Sequence, residues 1–304
     1  MSLLDKAIVA VLPMAPKSLI RHFANSYIAG ERLTDAVQTV KQLNRQGIRA
    51  TIDVLGESAV TAEQTKAPVK KYLQVLDTIK TECLEANISM KPTQMGLSFN
   101  PDLCLKNYLT IVEKLKETGN FVRVDMEDSP YTTLTFDLYK SLRKEYDKVG
   151  VVIQSYLRRS FKDLETFLIP AKANIRLCKG IYREPLQIAY KGYDVVRNNY
   201  IRLLDKALKA GLYVGIATHD ELLVWEAYRI IEELQLAPEQ YEFQMLLGVT
   251  ETLRHQIVQD GHRMRVYVPF GKDWYAYSTR RLKENPKIAG YVFRDIIKGA
   301  TNRH

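Results

Sequence analysis

Cysteine is scarce in this chain. Three of its 304 residues, Cys83, Cys104 and Cys178, stand far apart and form no Cys-x-x-Cys. That argues against a disulfide framework and for a reducing compartment. Histidine is nearly as sparse: His22, His219, His255, His262 and His304 show no ligand spacing, so no metal centre is expected. No Gly-x-Ser-x-Gly is present, which removes the usual signature of a nucleophilic serine. Long apolar runs are missing as well. Residues 7–12 are about half a secretory core, are followed by Pro13 and Pro16, and are too short to span a bilayer. Peripheral membrane contact is what that leaves.

What is present is ordinary globular composition, 46% hydrophobic and 26% charged, which excludes a disordered, collagen-like or coiled-coil chain. The net charge is +9. Such an excess suits nucleic acid, an anionic membrane surface or anionic small molecules. The basic residues are spread out, without a dense run, so nucleic-acid binding is not expected. At about 150 residues per domain the length suggests two domains, yet one α/β barrel of roughly 250 residues with an appendage fits equally well.

No sequence repeat exists, but a rhythm does. Short β-rich runs fall at 50–55, 88–91, 121–125, 150–154, 174–178, 213–217, 242–245 and 264–268. Helical periodicity separates them. Leu105, Tyr108, Leu109, Val112 and Leu115 share one stripe before Gly119, and Ile201, Leu204 and Leu208 share another before Gly211. Eight strand–helix cycles imply parallel pairing, and eight strands close a (βα)8 barrel. A doubly wound open sheet would bring a Gly-x-Gly-x-x-Gly after a strand, and none follows any run. Residues 1–45 read as an N-terminal helical arm, with a helix from Leu33 to Asn44, and 46–304 as the barrel.

Barrel chemistry gathers at the carboxyl ends of the strands. Those ends carry Glu57, Lys91, Asp125-Met126-Glu127, Gln154, Arg176 with Lys179-Gly180, Thr218-His219-Asp220, Gln244 and Tyr267. Asp125 and Glu127 could chelate a cation, but Arg123 is interleaved and no histidine accompanies them. After the last strand, Tyr277, Arg280, Arg281 and Glu284 fall on one helix face, where adjacent guanidinium groups suit bidentate capture of a carboxylate or phosphate. A solvated face with an Arg280–Glu284 ion pair is the structural alternative.

These segments resemble the proline dehydrogenase family. Arg176-Leu-Cys-Lys-Gly-Ile-Tyr182 is similar to its Arg-Leu-x-Lys-Gly-Ala-Tyr motif, and Tyr277-x-x-Arg280-Arg281-x-x-Glu284-Asn285 to its C-terminal signature helix. Val124-Asp125-Met126-Glu127, Ala217-Thr218-His219 and Glu242-Phe-Gln-Met-Leu246 match further segments in order, from about residue 46 onward. Ile181 departs from the common alanine. The length resembles the monofunctional bacterial members.

The resemblance implies a distorted (βα)8 barrel that holds FAD, with the final helix over the carboxyl ends of the strands. It implies oxidation of L-proline to Δ1-pyrroline-5-carboxylate by hydride transfer to flavin N5, non-covalent FAD, and a quinone acceptor. A cytoplasmic enzyme with peripheral contact at the inner face of the cell membrane follows from the same likeness. Lys91, Arg280 and Arg281 are then expected to hold the substrate carboxylate, and Tyr267, Tyr182, Tyr277 and Leu246 to wall its ring. Arg176 is expected near flavin N5, with Asp125 held near Lys91 and Arg176. Met126, Gln154, Lys179, Gly180, Ile181, Thr218 and His219 are expected at FAD, and Glu57 at a gate with Arg280. Cys178 is read as a strand residue that the pleat turns from Arg176. The rival reading is a flavin-free (βα)8 lyase or aldolase with Lys91 as Schiff-base lysine.

Overall fold

The computed structural model describes residues 26–275 together with Arg21, Ala24 and Ser278. Tyr277, Arg280, Arg281 and Glu284 lie outside the described residues, as do residues 1–20. Eight strands form one closed, wholly parallel barrel in sequence order. They are β1 (Arg49–Val54), β2 (Ala86–Met90), β3 (Val122–Val124), β4 (Val149–Gln154), β5 (Asn174–Cys178), β6 (Val214–Ala217), β7 (Tyr241–Leu246) and β8 (Met264–Phe270). Pairing of β1 with β8 closes the ring. Every strand expected from the sequence is present.

The helices α1 (Leu33–Arg45), α2 (Ala62–Thr81), α3 (Pro101–Thr118), α4 (Thr132–Glu145), α5 (Ser160–Asp163), α6 (Tyr193–Lys209), α7 (Glu221–Glu233) and α8 (Glu251–Gln259) surround the barrel. The helix marked by the stripe of Ile201, Leu204 and Leu208 begins well before it, at Tyr193. Asn100 caps α3 by accepting the Leu103 N–H at 2.9 Å, and Pro101 occupies its first turn. Helix α1 packs on β1 and β8, with Ala36, Val40 and Leu43 in the main core.

The core lies between strands and helices, not inside the barrel. Ile52, Ile88, Val122, Val151, Leu177, Ile216, Phe243 and Val266 face outward and are buried against the helices. Tyrosines on the helices reach in and bond strand carbonyls. Tyr72 of α2 donates to Ser89 O at 2.7 Å, Tyr108 of α3 to Met90 O at 2.9 Å, and Tyr200 of α6 to Leu177 O at 3.1 Å. A buried phenol needs a partner, and these find one where the strands end.

Side-chain alternation therefore turns the polar residues of each strand into the barrel. Register brings Asp53 beside Ser89, Ser89 beside Arg123, Arg176 beside Gly215 and Gln244 beside Arg265. Arg123 fills the lower interior, bonding Val151 O, Asn174 O and Asn174 Oδ1 at 3.1, 2.7 and 2.6 Å. Gly150 makes its room, since a Cβ there would come within 2.2 Å of the Arg123 guanidinium. Arg265 Nε meets Glu242 Oε1 at 2.7 Å, and Gln244 donates to the same oxygen at 2.6 Å.

Burial alone would raise the Glu242 carboxyl, but Arg265, Gln244 and Arg123 outweigh it and hold it at about 2. A carboxyl depressed on folding stabilises above its unfolded value of about 4.3, and that stabilisation is lost as pH falls through the folded one. Glu242→Gln leaves Arg265 buried without its acid, a loss of about 3–5 kcal/mol. We expect the melting midpoint to fall by roughly 10 °C at neutral pH. The gap to wild type should close as pH drops from about 4 towards 2. Calorimetry across that range checks it; an equal midpoint at pH 7 contradicts the assignment.

Candidate active site

A cavity of about 570 Å³ opens at the carboxyl ends of the strands. Lys91, Asp125, Met126, Gln154, Arg176, Lys179, Gly180, Ile181, Tyr182, Thr218, His219, Leu246 and Tyr267 all line it. Its volume is that of a site for a sizeable small molecule. Glu57 sits exposed on the loop after β1 and does not line the cavity.

Two ion pairs face each other across the cavity floor. Arg176 of β5 donates from Nη1 to Asp125 Oδ1 at 2.7 Å and from Nε to Gln244 Oε1 at 2.6 Å. Ser89 Oγ donates to the same Asp125 oxygen at 2.6 Å. The guanidinium also lies 5.7 Å from the Tyr267 ring centre, in cation–π range. Lys91, one residue past β2, places Nζ 2.8 Å from both oxygens of Asp53 and 3.5 Å from the Tyr267 hydroxyl.

Lys91 thus pairs directly with Asp53, while Asp125, expected near both Lys91 and Arg176, pairs with Arg176 and acts on Lys91 as a second acid. The strand run containing Asp53 was legible, but an aspartate inside an apolar strand reads equally as a rim residue. Asp53 is fully buried. Burial raises its carboxyl, with Asp125 adding to the rise and Lys91 opposing it. Burial would also depress the Lys91 ammonium, but the facing carboxylates Asp53, Asp125 and Glu127 outweigh this and hold it above its ordinary value. A Schiff base requires the neutral amine, so this environment disfavours the aldolase reading.

Glu127 is committed elsewhere. It accepts the Thr93 N–H at 2.8 Å and the Thr93 hydroxyl at 2.7 Å, fixing the turn after Lys91. Among the described residues no three His, Cys, Asp or Glu side chains converge on a metal position.

The strand ends are tied together around the rim. The Leu246 N–H donates to His219 Nε2 at 2.8 Å, so the proton of neutral His219 sits on Nδ1. Glu184 accepts both the N–H and the hydroxyl of Ser129 at 2.7 Å. Asp220 is gripped by Lys179, by Arg197 through two bonds of 2.6 and 2.7 Å, and by Tyr193 at 2.9 Å. Those bonds outweigh burial and hold its carboxyl well below the usual range.

Cys178 lines the cavity. It stands two residues from Arg176 on the same strand face, so the pleat turns it towards Arg176 rather than away. Thr51 and Tyr193 also line the cavity without having been singled out in the sequence.

The donor set fits a flavin. Gln154 is buried on the cavity wall, its Oε1 has no hydrogen-bond partner and its Nε2 only a 3.5 Å contact to Met126 O. A side-chain amide in that position can both donate to and accept from a ring carrying imide and carbonyl groups.

The family model described as Proline dehydrogenase matches residues 36–294. Proline dehydrogenase 1 of Bacillus subtilis is 35% identical over 278 residues, covering 90% of this chain and 91% of that one. A proline dehydrogenase of Deinococcus radiodurans is 35% identical over 283 residues, 91% of each chain. Among solved structures, proline utilization A (PutA) of Bdellovibrio bacteriovorus, inactivated by N-propargylglycine, superposes with a TM-score of 0.82 at 25% identity. That match covers 88% of this chain and 33% of the PutA chain, so the chain spans about a third of that protein.

Gly180 closes the cavity wall with φ +100, and a Cβ there would lie 2.1 Å from the Tyr156 ring. Gly180→Ala must therefore move the turn that carries Lys179 and Tyr182. We expect a loss of about 1–3 kcal/mol, read as a lower denaturation midpoint. An unchanged midpoint contradicts this.

Proposed function

The chain belongs to the proline dehydrogenase family, and from that premise we propose that this cavity oxidises L-proline to Δ1-pyrroline-5-carboxylate with FAD bound non-covalently. The observation that carries the reading is the pair of cations, Lys91 and Arg176, each with its own carboxylate, beside the partnerless amide oxygen of Gln154. Gln154, Met126, Lys179, Gly180, Ile181, Thr218 and His219 would hold the cofactor. When bound, FAD supplies the acceptor for the hydride.

The chain's own residues do the rest. Lys91, with Arg280 and Arg281 by family likeness, holds the substrate carboxylate. Tyr267, Tyr182 and Leu246, with Tyr277 by the same likeness, wall the ring and fix its face. Such orientation removes several kcal/mol of the barrier. Both side-chain bonds to Asp125 fall on Oδ1, which leaves Oδ2 to take the amine proton. As that proton leaves and a hydride departs from the adjacent ring carbon, the C=N bond of the product forms. Arg176 supports developing negative charge nearby. Glu57 is proposed to gate the cavity with Arg280.

A quinone is the proposed outgoing acceptor, and the proposed location is the cytoplasm with peripheral contact at the inner membrane face. The net charge of +9 supports contact with an anionic surface. Among the described residues no helix is long and apolar enough to cross a membrane.

Purified protein should be yellow, release its chromophore on denaturation, and bleach anaerobically with L-proline. Colourless protein that binds no added FAD would sink the reading. Soluble quinone analogues should restore the colour, and anionic vesicles should retain the protein at low salt. Restored colour without vesicle binding removes the membrane contact alone.

Lys91→Met should raise the KM for proline about ten- to a hundredfold while FAD content holds, as loss of a charge-assisted hydrogen bond requires. Steady-state kinetics with an FAD assay checks it.

A further inference from the structure

We propose that Asp53 is the positioning residue of the substrate-binding amine: it fixes Lys91 Nζ at the cavity floor and keeps it off Asp125. The inference rests on the reading that Lys91 holds the substrate carboxylate.

Asp53 does not line the cavity and is fully buried, so it acts only through what it touches. Both of its oxygens lie 2.8 Å from Lys91 Nζ. That two-point grip matters because a lysine head is a point charge on a flexible four-carbon stem. Asp53 is itself fixed. The Tyr72 hydroxyl lies 3.3 Å from its Oδ1 and is anchored by donating to Ser89 O at 2.7 Å and accepting the Val54 N–H at 3.1 Å. Helix α2 and strands β1 and β2 thus converge on one ammonium. Lys91 retains 17% side-chain exposure, so the head held from below reaches the cavity above.

The charges around it show what the grip prevents. Lys91 is faced by Asp53 from β1, Asp125 and Glu127 from the end of β3 and Tyr267 from β8, while Asp53 itself is backed by Tyr72 from α2 and hydrogen-bonded by Tyr267. Glu127 is spent on Thr93, and Asp125 on Arg176 and Ser89. Without Asp53 the remaining acid for two cations would be Asp125. Lys91 would then have to share Asp125, the group proposed as base, with Arg176; one carboxylate for two buried cations leaves the ammonium under-compensated and its proton easier to lose.

The test is a double-mutant cycle with a labelling readout. Asp53→Asn should raise the KM for L-proline about tenfold or more and change kcat less, with FAD retained. In a Lys91→Met background the same substitution should change KM clearly less, because its main route is gone and only its hydrogen bond with Tyr267 still reaches the site. Acetic anhydride labelling of Lys91, read by peptide mass spectrometry, should be suppressed in wild type to a pH above that of exposed lysines. It should become fast near neutral pH in Asp53→Asn. A merely structural role would not move that profile.

Equal KM effects in both backgrounds, or an unchanged labelling profile in Asp53→Asn, overturn the proposal. If Lys91→Met itself leaves KM unchanged, the carboxylate-holding reading fails, and labelling still decides whether Asp53 governs the amine. If Asp53→Asn does not fold, wild type suffices: labelling of Lys91 with the pH dependence of an exposed lysine overturns the proposal.

Discussion

The closed parallel barrel imposes one constraint on which the rest depends: each charge it takes inside must find a partner inside. Burying an ion costs several kcal/mol unless paired geometry repays it. This barrel encloses Arg123, Arg176, Arg265 and Lys91, and answers them with Asn174, Asp125, Glu242 and Asp53. Gln244 links the layers, accepting from Arg176 and donating to Glu242. The upper pairs border the cavity and the lower pairs support them. A site built this way holds its groups in fixed orientation before any ligand enters, which is what electrostatic preorganisation requires.

The same constraint explains why the apolar core lies outside the ring. Interiors of (βα)8 barrels are commonly filled by branched aliphatic side chains. Here the outward faces carry Ile52, Ile88, Leu177, Ile216 and Val266, all buried against helices, and stability is concentrated in that shell. Tyrosines reaching from α2, α3 and α6 to strand carbonyls couple the shell to the strand ends. Rim bonds between loops, such as Glu184 to Ser129 across β4 and Leu246 to His219 from β7 to the loop after β6, then tie the cavity walls together. The polar interior is thereby free to serve chemistry, because packing is secured elsewhere.

Much of this was legible along the chain. Alternation and helical stripes are local, so the eight strands, their order and the stop at Gly119 follow from short windows of sequence. Polar residues at strand ends, from Lys91 to Tyr267, follow from the same windows once a barrel is assumed. The family motifs that fall among the described residues gather at one cavity because each sits at a carboxyl strand end. Pairing is another matter. Asp53 and Lys91 are separated by a whole helix, and Arg176 meets Gln244 across two strands. Cys178 faces the cavity since it shares the parity of Arg176, a relation fixed by where the strand begins its alternation.

By itself, then, the sequence determined eight parallel strands, polar strand ends and a family signature, all carried by residues a few positions apart. The tertiary structure alone decided that the polar face of each strand points inward, and which acid meets which base. The physical reason is that alternation marks two faces without naming them. Only closure of β1 onto β8, with its inter-strand register, makes one face the interior and brings distant charges within bonding distance.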